Sequence, residues 1–568
     1  MGTLFSTFDV ARSGLIAAQV QLDTAGHNIA NANKVGYSRQ RVELVSRFPN
    51  LQPFGAIGTG VGIAGISRVR DEFLDDLYQN QVSGLGNAEI RAEFYQLVED
   101  LFLEPSDNGL SARMNLFFDS LNEFSTNVES IPIRQSVMNE ALALAQLFND
   151  SSERLFDLRS NANEEVINSV PEINSLTGRI ALLNQQISRA EIGGRTANDL
   201  RDDRGVLLDN LAKIVNIFTR ERPDGQVDVL ISGEVVVDAN NNRVLEAVPN
   251  AALDPERNDL VEVRFADTGN LLQARDGTLF GALQMRDIEL TEIDAGIDTL
   301  ASTIIQQINL VQTQASGLVN LSGTITASNG VTDPSIALNT AGLPLNITAG
   351  SFEISIFDNT GTPTAASPAT IAVGAGATLN DIIAAINAVP DLSASVNPDG
   401  FLSITVGAGF TMGFGNDSSG ALASLGVNGL FTGSDARTMG VNQTIVDDPQ
   451  LLASRFDSDP LSTGDNTAAL AMLEVQNTSF LLNGTANIND FYESLVVQIG
   501  VDTRTNAETL QVEQTFVNSF NERRQQNSGV SLDEEVTFMI QYQRAFEASA
   551  RVISVADRML ESLMTMAL

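Results

Sequence analysis

Apolar residues recur in alternating steps of four and three at both ends of this 568-residue chain. From Leu4 the walk gives Leu4, Phe8, Ala11, Leu15, Ala18, Leu22, Ala25 and Ile29, with mostly Ser, Thr, Asp, Gln and Arg between. From Leu532 it gives Leu532, Val536, Met539, Gln543, Phe546, Ala550, Ile553, Asp557, Leu560, Met564 and Ala567. Only Gln543 and Asp557 interrupt that second stripe. A 3.5-residue apolar period is what two helices need to wind together with knobs in holes. The pattern predicts one coiled pair, residues 1–48 with 520–568, and the rest of the chain looped out between. Such an arrangement suits a subunit that stacks end to end better than it suits an enzyme.

Between the seams the period changes several times. Helical spacing runs from Asp71 to about Leu103, then over Leu110–Val128, Ile133–Ser169, Pro171–Ile192 and Asn198–Ile214. Pro171 reads as the first turn of a new helix, and Phe48–Gly55 as a linker or turn cluster. From Val215 to about Gln273 the period is two. There Val227–Ile231 and Glu234–Asp238 flank Ser232-Gly233, a hairpin signal. A helix is predicted over Gly281–Thr313. Residues 321–436 are rich in Gly, Ala, Ser, Thr and Asn and read as an inserted β-rich domain, before helical spacing resumes from Asn466 to Phe520. The fold class expected is mainly α with β-rich outer domains. Residues 49–214, 274–320 and 437–519 would form a helical body, 215–273 one β-rich domain and 321–436 another.

Charge narrows the partners. The net charge is −38, which argues against affinity for nucleic acid or an anionic membrane. Residues 1–48 hold five basic groups (Arg12, Lys34, Arg39, Arg41, Arg47) against three acids (Asp9, Asp23, Glu43), while 520–568 hold five basic and seven acidic groups. The two ends cancel, so the excess acid belongs to residues 49–519, and no Lys or Arg lies between Arg286 and Arg437. A solvated acidic surface keeps a crowded assembly soluble.

Catalytic constellations are scarce. With no cysteine and His27 as the only histidine, thiolate chemistry, disulfides, a catalytic triad and zinc motifs are out of reach, and no cofactor is expected. Gly60-Val61-Gly62-Ile63-Ala64-Gly65 matches Gly-x-Gly-x-x-Gly, but no buried strand precedes it as a dinucleotide site requires, so a tight turn or hairpin is the better reading. Helix, turn and helix over Asp23–Val42 could serve DNA binding, yet the whole chain has two lysines. Paired carboxylates for sugar hydrolysis are available among 71 acids, but the platforms such sites favour are few: no Trp and five Tyr. The first nine residues have neither a basic region nor an apolar run, so no cleaved secretory signal is expected, and no run of 18 apolar residues predicts a membrane span.

Motifs at both ends resemble a known family. Ala30-Asn31-Ala32-Asn33-Lys34-Val35-Gly36-Tyr37-Ser38-Arg39-Gln40 resembles the N-terminal signature of bacterial flagellar rod, hook and hook-associated proteins, as does Gly58–Gly62 leading to Arg68–Leu74. Gly529–Glu535, Tyr542–Phe546 and Ala550–Ile553 are similar to the C-terminal signature of the same group. The Tyr37-Ser38-Arg39-Gln40 run, the length, the helical region after residue 90 and Asn198–Arg204 point to its hook-associated branch.

The resemblance implies a non-enzymatic structural subunit at the junction between hook and filament, exported by the flagellar type III route. Its partners would be the hook protein, a second junction protein, further copies of itself in a ring, and an export chaperone at the C-terminal helix. Assembly would rest on Leu4, Phe8, Leu15, Leu22 and Ile29, on Asn31, Asn33, Gly36, Tyr37, Arg39 and Gln40, and on Leu532, Val536, Met539, Phe546, Ile553 and Leu560. A hook or rod subunit is the nearest alternative, and a secreted adhesin or carbohydrate-binding protein built on 321–436 is the alternative from another class.

Overall fold

The computed structural model describes residues 2–52, 55–102, 104, 106–254, 257 and 259–566. The chain opens with Gly2–Asn31 (α1) and then Gln40–Ser46 (β1), Asn50–Gln52 (β2), Gly55–Ile57 (β3) and Val61–Arg68 (β4). Helices follow at Glu72–Phe102 (α2), Leu110–Thr126 (α3), Ile131–Ala190 (α4) and Asn198–Ile214 (α5). Strands come next, at Phe218–Glu221 (β5), Val227–Ile231 (β6), Glu234–Asp238 (β7), Asn241–Asn242 (β8), Leu245–Pro249 (β9) and Val261–Phe265 (β10). Thr278–Gln284 (α6) passes through a π turn into Leu290–Gln312 (α7).

The inserted block holds Thr324–Thr326 (β11), Gly350–Asp358 (β12), Ala369–Val373 (β13), Leu379–Asn387 (α8), Leu392–Val396 (β14), Leu402–Val406 (β15), Phe410–Gly415 (β16) and Ala421–Leu425 (α9). After it come Phe431–Thr432 (β17), Gly440–Val441 (β18), Gln443–Asp447 (α10), Thr467–Glu474 (α11), Ile488–Ser528 (α12) and Leu532–Met566 (α13). The chain divides into two compact units: residues 1–93, 160–287 and 505–568 in the first, and 94–159 and 288–504 in the second.

In the first unit α1 and α13 pack along each other, the pairing that the two seams predict. The stretch Phe48–Gly55, read as a linker or turn cluster, lies within a β excursion. β1 pairs antiparallel with β4, Gln40 opposite Arg68 and Ser46 opposite Val61, and β2 pairs with β3 beyond them. Residues 41–48 alternate only weakly in sequence because Val42 is the one buried residue of these strands.

α4 is also unbroken where a boundary was expected, and carries Pro171 inside it. Proline removes one helical hydrogen bond. On both sides of it, however, Val166, Val170, Ile173 and Leu176 are buried, and that shared apolar face keeps the helix continuous. The same stretch of α4 holds the strands through three asparagines. Asn163 accepts from Val261 N at 3.0 Å and donates to Asp259 O at 3.1 Å. Asn174 exchanges both bonds with Leu245 at 2.8 Å. Asn184 accepts from Val227 N and donates to Val227 O and Ala239 O. Each amide thus completes strand backbone that would otherwise be buried without partners.

In the second unit Phe117, Phe118, Leu121 and Phe124 of α3 are buried, as are Val137, Leu144 and Phe148 of α4 and Ile297, Leu300, Ile304 and Ile308 of α7. The inserted block builds two three-stranded sheets, β13-β12-β16 and β11-β15-β14. They share a core running from Leu321 to Val427 with Phe352, Ile354, Ile404 and Phe414 fully buried. That core stops short of the expected boundary at 436. Asn309 of α7 accepts from Phe431 N at 3.0 Å and donates to Phe431 O at 2.8 Å. The Phe431 ring meets Phe117 edge-on at 5.6 Å, and Asp298 accepts from Ala436 N at 2.9 Å. Phe431 and Ala436 are therefore held by the helices. The Gly- and Ser-rich composition around them masked this, because the holding groups are on the helices.

Candidate assembly site

The turn after α1 draws both end signatures together. Gly36 takes φ +76, and a side chain there would collide with Val206 of α5, so the turn needs glycine. Asn28, near the end of α1, is buried and donates to Gln40 O at 2.9 Å and to Glu535 Oε2 of α13 at 3.1 Å. Its Oδ1 accepts from Tyr37 Oη at 2.8 Å and from Gln40 N at 3.0 Å. Arg39 donates from Nε to Glu535 Oε1 at 2.7 Å and from a terminal nitrogen to Glu534 at 3.1 Å, with its guanidinium 5.3 Å from the Phe538 ring centroid. Burial, with Asp199, Asp202 and Glu535 nearby, holds the Tyr37 hydroxyl well above its ordinary range, so it stays a neutral donor.

A second knot lies beside the first. Asp202 of α5 accepts from the Ser38 amide and hydroxyl at 2.9 Å each, and from Arg68 at 2.9 Å. Arg70 pairs with Asp75, Asp75 with Arg524 of α12 at 3.0 Å, and Arg524 with Asp209 at 2.9 Å. Deep burial pushes the Asp209 carboxyl up, against the pull of Arg524. Lys34 reaches Asp203 at 2.8 Å, and Gln40 donates to Asp199 at 2.8 Å. Asn31 donates to His27 O at 3.0 Å; Asn33 is exposed. Charge-assisted bonds of this kind are the stronger ones, and most are partly shielded here. The chemistry available is mechanical: the site fixes four chain segments to one another.

The α1–α13 seam follows one predicted column and replaces the other. Met539, Phe546, Ile553 and Leu560 are half-buried, as are Phe8, Leu15, Leu22 and Ile29 on α1. The Leu4 side chain lies outside the described residues, as does Ala567. Leu532 and Val536, however, are 50% and 47% exposed. The second column is Glu535, Tyr542, Ser549 and Ala556: Glu535 bonds Asn28, a side chain on Gly14 would meet Ser549 Oγ at 3.1 Å, and Ala556 is 2% exposed. Gln543 and Asp557, the two interruptions of the stripe, are exposed, one residue past the true positions. An apolar walk misses this column because two of its members are polar by necessity, one hydrogen-bonded and one small enough for close helix approach.

Comparison with known proteins agrees from end to end. A model described as the flagellar hook-associated protein FlgK helical domain matches residues 95–326. The flagella basal body rod protein model matches 8–37, and the flagellar basal body rod FlgEFG C-terminal model matches 523–566. Flagellar hook-associated protein 1 of Bacillus subtilis (strain 168) is 27% identical, across 99% of this chain and 98% of that one. The proteins of that name from Salmonella typhimurium and Escherichia coli (strain K12) are 29% and 28% identical, each across 98% of this chain and 99% of theirs. Over its full length the chain is similar to flagellar hook-associated protein 1. A solved flagellar hook junction protein FlgK from Burkholderia pseudomallei shares the fold, with a TM-score of 0.51 at 16% identity, across 80% of this chain and 100% of that one.

The site residues that sequence reasoning did not single out are Asn28, Ser38, Asp202, Glu534, Glu535 and Arg524. Their signal was present but indirect. Asn28 and Glu535 lie beside or inside the two end signatures, and Asp202 lies in Asn198–Arg204, yet nothing in one chain pairs groups so far apart in sequence.

Proposed function

We propose that this chain is a structural subunit at the junction between flagellar hook and filament, without catalytic activity, built in through the α1–α13 pair. Its partners are the hook protein on one side, a second hook-associated protein on the other, and further copies of itself in a ring. Export runs through the flagellar type III route, with a chaperone on α13 before assembly. The observation that carries this reading is similarity through the central helical region as well as the ends. Matches over 8–37 and 523–566 alone would suit a rod or hook subunit equally; the match over 95–326 carries the hook-associated description.

The surface of α13 supports the ring. Val536 and Ile540 each follow a seam residue, whereas Val552, Val555 and Met559 each precede one, and all five are exposed. A step of one residue turns a helix by about 100°, so the two sets flank the seam on opposite sides. A subunit with a neighbour on either side needs two different contact surfaces of this kind. Cells lacking the gene should build hooks, grow no filament and shed flagellin into the medium. Normal filaments in such cells would overturn the reading.

A further inference from the structure

We propose that the cavity lined by β4, the start of α2, α5 and β5 is a binding site for a phosphate-class oxyanion, taken up by Arg68 and Arg204. The cavity holds about 350 Å³ and lies wholly within the first unit. In a chain of net charge −38, its wall carries four arginines: Arg68, Arg70, Arg201 and Arg204. Two of them are already spent. Arg201 holds Glu191 with two nitrogens, at 2.7 and 2.9 Å, and Glu221 with the third at 2.7 Å. Arg70 pairs with Asp75 and lies against Gly205 of α5, where a side chain would meet its guanidinium at 2.9 Å.

The other two keep donors to spare. The Arg204 side chain is only 4% exposed, and one terminal nitrogen donates to Asn184 Oδ1 at 2.9 Å and to Gly225 O at 2.7 Å. Its Nε and second terminal nitrogen have no hydrogen-bond acceptor among the described residues: Glu221 Oε2 stands 3.6 Å off, and Arg201 holds the other Glu221 oxygen. Arg68, 15% exposed, donates from one terminal nitrogen to Asp202 at 2.9 Å, and its remaining two nitrogens likewise meet no acceptor among the described residues. Burial outweighs the carboxylates at both guanidinia. It pulls Arg204 down to about 10 and Arg68 below its ordinary value, and both stay charged at neutral pH. A guanidinium fork matches the oxygens of phosphate, and such charge-assisted bonds are strong. A dianion compensates both cations at once, whereas a carboxylate compensates one, which favours phosphate. Glu72 and Asp76 also line the cavity, from the start of α2, and pair with no arginine among the described residues. Burial, with Asp75 and Glu72 beside it, raises the Asp76 carboxyl. That acidic side weakens anion binding, and its removal gives a test of opposite sign.

Inorganic phosphate is the probe, titrated by calorimetry into the purified full chain in phosphate-free buffer at constant ionic strength. The expected result is saturable one-to-one binding and a melting temperature that rises with phosphate, with no matching rise in chloride or acetate. Arg68→Gln should weaken binding about tenfold or more, since it removes charged donors. Asp76→Asn should tighten binding roughly threefold, since it removes a like charge from the wall. Asp76 has no hydrogen-bond or ion-pair partner among the described residues, so this variant decides the matter even where loss of the Arg68–Asp202 pair unfolds the chain. No saturable phosphate binding, an equal response to acetate, unchanged affinity in a folded Arg68→Gln chain, or no tightening in Asp76→Asn would overturn the site.

Discussion

Asn28 and Glu535 are 507 positions apart, and the amide of one donates to the carboxylate of the other at 3.1 Å in the interior of the first unit. The contact is fully partnered: Tyr37 and Gln40 occupy the Asn28 oxygen, and Arg39 occupies the second Glu535 oxygen. A buried carboxylate without such partners is strongly unfavourable. The pair therefore sets the register of α13 against α1.

Removing either side should cost more than one ordinary hydrogen bond. In a double-mutant cycle, Asn28→Ala and Glu535→Ala should show a coupling of about 1–3 kcal/mol in urea unfolding. A coupling near zero would mean that the two residues are neighbours without energetic consequence.

The corrected seam makes a prediction opposite to that of the apolar walk. Ala556→Asp puts an unpaired carboxylate at a buried seam position and should cost several kcal/mol of helix pairing, abolishing incorporation into flagella. Asp557→Ala, at the neighbouring exposed position, should leave incorporation unchanged. Phe546→Asp should also abolish incorporation while leaving circular dichroism nearly intact. Immunoblots of isolated flagella check all three.

How far the sequence carried the fold follows from what kind of group did the holding. Helices with one apolar face, such as α3, α5 and α7, were legible because burial imposes a period on the residues themselves. The column of Met539, Phe546, Ile553 and Leu560 was legible for the same reason. Its partner column of Glu535, Tyr542, Ser549 and Ala556 was not, since hydrogen bonding and small size leave no apolar mark. The strands of residues 40–68 left only a weak alternation over 41–48, because Val42 is their one buried residue. In the candidate site, Gly36, Tyr37, Arg39 and Gln40 came from a recognised motif, while their partners Asn28, Asp202 and Glu535 required coordinates.

The asparagine staples on α4 were equally invisible, since an Asn in a helix reads as surface. Asn184→Ala should destabilise the first unit by about 2–4 kcal/mol, because Val227, Ala239 and Arg204 all lose a buried partner. Asn174→Ala, at a half-buried position, should cost less. Chemical denaturation of the two variants side by side gives the ordering.

The inserted block should be removable, at the boundary its packing marks. Replacing 321–427 with a short Gly-Ser linker should preserve folding and filament growth, since the buried residues of that core all lie within 321–427. Extending the deletion to 436 removes Phe431 and Ala436 from α7 and should lower the melting temperature further. Equal behaviour of the two deletions in calorimetry would contradict the boundary.

A pH dependence should come from Asp294 of α7. Burial, with Asp298 one turn away, raises its carboxyl to about 6, against the Ser152 hydroxyl that it accepts at 3.3 Å. A raised folded value means that protonation favours the folded state. The penalty is full above pH 6 and fades as pH falls from about 6 toward the ordinary carboxyl range near 4. Asp294→Asn should therefore raise the melting temperature by a few degrees at pH 7.5 and by distinctly less at pH 4.5. A gain that is equal at both pH values would rule the carboxyl out as its source.

Labelling intact flagella with gold-conjugated antibody against residues 321–436 tests the central claim most directly. The account predicts one cluster of gold at the boundary between hook and filament, and none along either. Gold distributed along the hook, confined to the rod, or absent from flagella that carry filaments would contradict it.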